Sequence, residues 1–417
     1  MSQIKNNLKC LLLCAGVFVS SGFAKDVAYK ITMIDVGAGL SAVLEIPNST
    51  DPQSPYYILY DFGTRNADFK FMKALIKPKR NEFGETVRTI DLAVASHTDQ
   101  DHIDQEKNVF RDFEVKAILR TGYHKGKYEF DKIKKMLQTQ LAQNMIDKEE
   151  YFELLRQNLN VFKPTKTWEE GNEAIGREIV ESGCIDLNLR HFDENGMDFS
   201  CGADGVLEKT YGNNISIKMV AGFSEPPYED ENLAQSESLN GASIALLVGV
   251  EDNRGTLGNK FLFTGDTVGR HEGSSDNSPP IAGERYMIEK YSSLIKNLSG
   301  LQLAHHGSDD ASSKAFLELA NPQYTLISAG HKHNHPRVEA VNRLIAAMIK
   351  NDRCQDENRC KEYVFRTDRD DQEDFGIESA LGASHAPKGK DPKGDDHIEY
   401  TAYTDGSVEV SYIDIDI

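Results

Sequence analysis

An α/β fold is the expectation, because strands that end in polar, glycine-bearing turns alternate with helices along most of the chain. No internal tandem repeat and no clear linker divides residues 25–417, so they read as one domain with insertions. A composition of 39% hydrophobic and 27% charged residues over 417 positions is that of a folded chain able to bury a large core.

The first 24 residues stand apart. Lys5 and Lys9 precede an apolar run over 10–19, and Gly22-Phe23-Ala24 places small residues where a signal peptidase cuts. Roughly ten apolar residues are too few to span a bilayer, and no other stretch approaches the ~18 that a spanning helix needs. The expectation is a cleaved leader, a periplasmic or secreted protein, and no transmembrane segment in the mature chain. Export leaves Cys184, Cys201, Cys354 and Cys360 in an oxidising compartment. The pairings Cys184–Cys201 and Cys354–Cys360 are favoured, since each brackets a polar loop. A formal charge of -19, two units more negative without Lys5 and Lys9, disfavours a surface that tracks extended nucleic acid.

Residues 28–47 alternate and then run apolar, and 56–60 lead into Asp61-Phe62-Gly63; both read as strands ending in a glycine turn. Residues 89–96 form a third strand, which delivers the chain into His97-Thr98-Asp99-Gln100-Asp101-His102. Phe130, Ile133, Leu137 and Leu141 recur at helical spacing, and 149–159 repeat the pattern, so 125–165 read as a helical insertion whose apolar stripe belongs to a core. Strands return at 242–250 and 260–263, the second ending in Thr264-Gly265-Asp266. A helix over 283–297 precedes a strand at 301–304, which ends in His305-His306-Gly307-Ser308. A strand at 324–328 opens into a loop carrying His331, His333 and His335, and a helix follows over 336–350. A polar loop at 370–396 precedes a hairpin of 398–402 and 408–412, turning at Asp405-Gly406.

Two imidazoles and two carboxylates within 97–102 are too dense for idle charge on a surface loop. Both groups donate electron pairs to divalent cations, and an extended loop turns side chains at i, i+2 and i+4 into one cavity. That points to His97, Asp99 and Asp101 as ligands, with His102 facing a second ion. Two ions about 3.5–4 Å apart hold an attacking water and a substrate oxygen together, so hydrolysis needs no nucleophilic side chain. Asp266 is the expected bridging carboxylate, and His305 completes the metal set. Catalytic duty falls on Asp101, His305 and His335, with His305 or His335 assisting the leaving oxygen. His335 precedes Pro336 at a helix start, where it either touches substrate or joins the metal ligands. His306 and Ser308 are expected to donate hydrogen bonds to substrate, although Ser308 equally suits a helix cap. Asp35 and Asp61 are expected to orient loops or ligands from behind. His331 and His333 read as solvated, and His124, His191, His271, His385 and His397 as surface residues.

In this order, the Asp61 turn, His97-x-Asp99-x-Asp101-His102, Thr264-Gly265-Asp266, His305-His306-Gly307-Ser308 and His335-Pro336 resemble the metallo-β-lactamase superfamily. More narrowly, they look like the hydrolase domain at the C-terminus of ComEC-type DNA-uptake channel proteins. The resemblance spans most of 29–370, including a last strand that runs into Val364-Phe365-Arg366-Thr367-Asp368. It implies a four-layer αββα sandwich with insertions, a centre of two divalent ions, zinc or manganese, at one edge of the sheets, and phosphodiester hydrolysis. The chain also departs from the pattern. Asp35-Val36-Gly37-Ala38-Gly39-Leu40 stands where the family has Asp-Val-Gly-Gln-Gly-Asp, and Asp99 stands where the superfamily has histidine. Asn240 lies nearest the place of a further histidine, which leaves it as a substrate-facing group. Channel-forming membrane segments are missing from this sequence, and the oxygen-rich ligand set suits manganese as well as zinc.

The expected function is an exported phosphodiesterase or nuclease-like hydrolase of a small or short phosphodiester. Hydrolysis of a lactam, lactone or thioester on the same fold is one alternative. A binding protein without turnover is the other, against which the full ligand set argues.

Overall fold

The computed structural model describes residues 25–64, 69–80, 84, 86–121, 189–193, 200–201, 206–212, 214–223, 228, 233–330, 335–368 and 396–415. The expected leader, the helical insertion, nearly all of the polar loop at 370–396, Cys184, His124, His331, His333 and His385 lie outside the described residues.

The chain begins with β1 (Val27–Met33), β2 (Ala42–Ile46), β3 (Tyr56–Tyr60) and α1 (Phe69–Leu75). Short strands β4 (Lys79–Arg80), β5 (Thr86–Val87) and β6 (Thr89–Ile90) lead to β7 (Leu92–Ala95), α2 (Gln100–Ile103) and α3 (Glu106–Asp112). Then come β8 (Glu114–Val115), β9 (Ala117–Thr121), β10 (Leu189–Asp193), β11 (Ser200–Cys201), β12 (Leu207–Tyr211) and β13 (Ile215–Ala221). After α4 (Gln235–Gly241) follow β14 (Ala245–Glu251), β15 (Leu257–Phe263), α5 (Ala282–Ile295) and β16 (Gly300–Gln302). The last part holds α6 (Lys314–Ala320), β17 (Tyr324–Ile327), α7 (Val338–Lys350), α8 (Glu357–Lys361), β18 (Val364–Arg366), β19 (His397–Tyr403) and β20 (Val408–Ile413).

Two eight-stranded sheets result, ordered β10-β9-β7-β3-β2-β1-β19-β20 and β11-β12-β13-β14-β15-β16-β17-β18. The period-two pattern of each strand assigns its two faces. In β3, Ile58 and Tyr60 enter the core between the sheets, while Tyr57 and Leu59 pack with Met72 and Ile76 on the far side. In β14, Leu246 and Val248 point between the sheets, and Ala245 and Leu247 pack with Met287, Phe316 and Leu344 of the helices. Because helices cover both outer faces, these strands read as nearly unbroken apolar runs. The layer order is helix, sheet, sheet, helix, which is the expected αββα arrangement.

Sequence and structure differ at several strand boundaries. Residues 28–47 hold two antiparallel strands rather than one, with Met33 opposite Ala42 across the Asp35–Gly39 loop. Residues 89–96 break at Asp91, whose carboxylate accepts from the Tyr57 backbone N–H and whose own N–H donates to the Tyr57 carbonyl. The strand expected at 301–304 stops at Gln302, and Ala304–Gly307 form a 3-10 turn. Cys354 and Cys360 are joined, as their spacing suggested, and tie the end of α7 to α8. No helix among the described residues is long and apolar enough to cross a membrane.

His397, expected on the surface, is fully buried in β19 beside Phe71, and its Nδ1 accepts the Asp35 backbone N–H at 3.0 Å. An imidazole that accepts there must stay neutral. Burial lowers its pKa from 6.5 to about 4, against the smaller opposing effect of Asp414. The unfolded chain takes up that proton near pH 6.5, so the contribution is present above 6.5 and is lost as pH falls through about 4. Its ceiling is on the order of 3 kcal/mol. His397→Asn is expected to lower the melting temperature at pH 7 and to flatten its fall between pH 6.5 and 4. Equal slopes in the two proteins would show that His397 does not carry the effect.

Candidate metal centre

Four chain turns meet at one edge of the sandwich, each at the end of a strand. β7 delivers Ser96 and His97. The next residues do not stay extended, as expected, but enter α2, with Asp99 as its N-cap in extended geometry and Asp101 and His102 in its first turn. The helical turn sends Asp101 and His102 in different directions from adjacent positions.

β15 ends in Thr264-Gly265-Asp266, a turn held by the Gln302 side-chain carbonyl, which accepts from the N–H groups of Thr264 (2.8 Å) and Gly265 (2.9 Å). Gly265 sits at φ 55°, and a β-carbon there would lie 2.8 Å from Ser96 Cβ, so only glycine lets this turn close onto β7. After β16, His305 and His306 both adopt left-handed backbone, φ 50° and 54°, at a cost of about 1–3 kcal/mol each. That reversal aims two adjacent imidazoles at different targets.

His306 points into the cluster. Its Nε2 lies 3.2 Å from His102 Nε2, 3.5 Å from Asp266 Oδ2 and 3.7 Å from Asp101 Oδ2. His102 Nε2 is 3.2 Å from Asp266 Oδ2, and His97 Nε2 is 3.8 Å from the same oxygen and 3.7 Å from Asp99 Oδ2. His305 stands at the edge, its Nε2 3.8 Å from Asp266 Oδ2 and 3.2 Å from the Asn240 side-chain nitrogen, its Nδ1 2.8 Å from Asp310. The two neighbours thus exchange their expected places: His306 lies among the ligand atoms, and His305 is set beside them. His335 is also at hand, 5.7 Å from the His305 ring and 6.4 Å from that of His306 between centroids.

Hydrogen bonds on the far side of each ring fix which nitrogen carries the proton. His102 Nδ1 donates to Asp61 at 2.7 Å, and His306 Nδ1 donates to the Ser328 carbonyl at 2.7 Å. Ser96 Oγ donates to Asp61, so it receives the His97 Nδ1 proton at 3.0 Å. All three Nε2 lone pairs therefore face the cluster. Asp61 acts from behind, as expected, and fully buried it accepts from Ser96 N–H, Ser96 Oγ and His102 at 2.7 Å each.

The residues fit divalent cations. Two sets, His97-His102-Asp266 and Asp101-His102-His306, bring three ligand atoms within 4.8 Å of one another. His97 Nε2 and Asp266 Oδ1 are buried without a hydrogen-bond partner, which is costly unless a cation meets them. With protons in place of ions, burial opposes charge on His102 and on Asp266, yet their mutual attraction prevails. His102 is pushed well above its usual range by Asp266 and Asp61, and Asp266 is held well below by His102, His306 and His305. His335 is driven down to about 3 by burial and by the neighbouring His306 and His305.

Of the supporting residues, Asp35 and Ser308 stand out in the sequence, whereas Ser328, Asp310, Ser313, Asp309 and the arginines carry no signal strong enough to do so. Ser328 Oγ donates to the Gly39 carbonyl at 2.6 Å, so the loop that holds His306 is stitched to the 35–40 turn beneath Asp101. Asp35 caps that turn by accepting from Gly37 N–H. Asp310, five residues after His305, anchors it, and against the opposing effect of burial His305 and, to a smaller extent, the Ser308 hydroxyl hold the Asp310 carboxyl below its usual range. Ser313, not Ser308, caps the following helix. Asp309 Oδ1 binds Arg270 and Arg343 at 2.7 Å each, locking the loop after His306. A cavity of about 600 Å³ is lined there by Arg270, Asp309, Arg337 and Arg343. Arg270 and Arg343 share the carboxylates of Asp309 and Asp276, whereas Arg337, whose N–H donates to the Gly307 carbonyl, has no carboxylate within salt-bridge distance among the described residues.

No family model matches the chain, and no curated protein matches it. Among solved structures it is similar to an archaeal metallo-beta-lactamase superfamily protein from Sulfolobus tokodaii, at 16% identity and a TM-score of 0.27 over 70% of this chain and 84% of that one.

Proposed function

We propose that the chain is a metal-dependent hydrolase of the metallo-β-lactamase superfamily that cleaves a small or short phosphodiester. The carrying observation is the convergence of His97, Asp101, His102, His306 and Asp266 on one buried point, with lone pairs inward and protons outward. The proposed ligands are these five and Asp99. Two divalent ions, when bound, supply an activated water and a polarised substrate oxygen.

The chain's own residues do the rest. Asp61, Ser96 and Ser328 hold the imidazoles in the binding tautomer. His305, backed at Nδ1 by Asp310 and with its Nε2 beside Asn240 and Asp266, holds or delivers a proton at the leaving oxygen. Asn240 steadies that ring at Nε2, and His335 lines the same side. Arg337 offers a positive charge for a phosphoryl oxygen. The leader-like sequence pattern of 1–24 and the Cys354–Cys360 disulfide favour export to the periplasm or beyond.

Metal-loaded wild type is expected to hydrolyse bis-nitrophenyl phosphate, and Asp101→Ala to lose at least about a hundredfold in kcat/KM. The formal charge of -19 favours a second reading, a neutral or cationic lactone or thioester. Turnover of such an ester, with none of any phosphodiester by the metal-loaded protein, would select it.

A further inference from the structure

We propose that Glu284, in the first turn of α5, is a positioning residue for the His305–Asp310 pair, because it fixes the backbone of the loop that aims Asp310 at His305. The inference rests on the hydrolase reading above, in which His305 serves the leaving oxygen.

Glu284 is fully buried yet lies outside the ligand set. Its Oε1 accepts from the Ser312 N–H at 2.5 Å, and its Oε2 accepts from the Ser313 N–H at 2.8 Å. Ser312, two residues after Asp310, has left-handed backbone at φ 53°, which costs about 1–3 kcal/mol and persists only where partners hold it. Arg343 of α7 grips the same loop by its carbonyls, donating to those of Asp309 at 3.0 Å, Ala311 at 3.1 Å and Ser312 at 3.3 Å. The carbonyl of Asp310 itself accepts from the Gly269 and Arg270 N–H groups at 3.0 Å each, three and four residues after Asp266. The backbone on both sides of Asp310 is thereby fixed, and its carboxylate meets His305 Nδ1 at 2.8 Å.

The turn after Asp266 is shaped to admit Glu284. A β-carbon on Gly269 would overlap the Glu284 carboxylate, and the Glu284 N–H donates to the Val268 carbonyl at 3.3 Å. One side chain therefore touches the stretch that follows Asp266 and the loop behind His305 at once.

A carboxylate is an expensive choice at this place. Burial raises its pKa to about 7, although Ser313, Ser312 and Arg343 all lower it. A neutral side chain would avoid that desolvation. Two N–H groups need two acceptors, however, and a carboxylate presents both, whereas the amide of glutamine turns a donor toward one of them. Glu284→Gln keeps the shape and releases one corner of the loop.

The test compares metal-loaded wild type and Glu284→Gln on a dinucleotide, whose leaving alkoxide needs a proton, and on bis-nitrophenyl phosphate, whose leaving phenolate does not. Assays run at about pH 8.5, where wild-type Glu284 is ionised. With metal content at the wild-type level, the ratio of kcat on the dinucleotide to kcat on the nitrophenyl ester is expected to fall at least about tenfold. Asp310→Asn is expected to lower the same ratio, and the double variant to lower it no further, because both changes act through one contact. The downfield ring-proton resonances of His305 and His102 give a readout independent of turnover: in Glu284→Gln the first is expected to shift or broaden and the second, bonded to Asp61, to stay. Arg343→Lys loosens the loop from its other side and is expected to give the same pattern, which keeps the test open if Glu284→Gln fails to fold. Equal losses on the two esters, or a loss that adds to that of Asp310→Asn, with the His305 resonance unmoved, would overturn the positioning role and leave the hydrolase reading standing. Wild type inactive on both esters would overturn that reading instead, and the His305 resonance would still decide for or against Glu284.

Discussion

Asp266→Ala is expected to abolish binding of both ions and to lower hydrolysis by roughly a thousandfold, about 4 kcal/mol of lost stabilisation. The size follows from position. Asp266 Oδ2 lies within 3.2–3.8 Å of His102, His306, His97 and His305, so one carboxylate balances charge for both ion positions. Its removal takes away the central negative charge, so two divalent ions set among neutral imidazoles repel one another with only Asp99 and Asp101 left to offset them. Elemental analysis and the melting temperature with and without metal check this together. Wild type is expected to gain stability on metal addition, as any ligand selective for the native state requires. The variant is expected to gain little, and an unchanged gain would mean that the ions sit elsewhere.

Asp61→Asn should be nearly as informative, because Asp61 touches no substrate. The amide keeps the shape and tolerates the backbone φ of 59°. It can accept at one end only, whereas the carboxylate accepts three hydrogen bonds from Ser96 and His102. With the amide nitrogen toward His102 Nδ1, the ring is driven to carry its proton on Nε2, the nitrogen meant for metal. Metal affinity is expected to fall about 10–100-fold with the fold intact. Asp61→Ala is expected to be worse, since it leaves buried donors unpaired at about 1–3 kcal/mol each. Metal titration beside thermal unfolding separates the two effects. Unchanged affinity in Asp61→Asn would remove Asp61 from the account.

How much of this was legible in the sequence depends on the kind of signal. Strands such as 56–60 and 324–327 are continuous apolar runs bounded by polar turns, and they were found within a residue or so. The layer order came from the resemblance, since apolar runs alone do not say which sheet a strand joins. Short elements escaped. α1 and α3 have seven residues each and α2 has four, too few turns for helical periodicity to emerge. The cluster of Asp101, His102 and Asp266 was legible because dense imidazole and carboxylate after a strand has few other uses.

The choice between His305 and His306 was not legible. Adjacent histidines at a strand end look alike in sequence, and what sends the two left-handed residues different ways is a pair of partners, Asp310 for His305 and the carbonyl of the more distant Ser328 for His306. His397 was missed for a related reason. Its burial depends on Phe71 and the Asp35 turn, which are more than 300 residues away in the chain.

The most direct test of the central claim is the metal content of purified wild type after incubation with zinc and then manganese. The account predicts about two divalent ions per chain held at the His97, Asp101, His102, His306 and Asp266 cluster, with both lost on chelation. No ion bound from either metal would contradict it, because the inward nitrogens and the unpartnered Asp266 oxygen would then have no cation to meet.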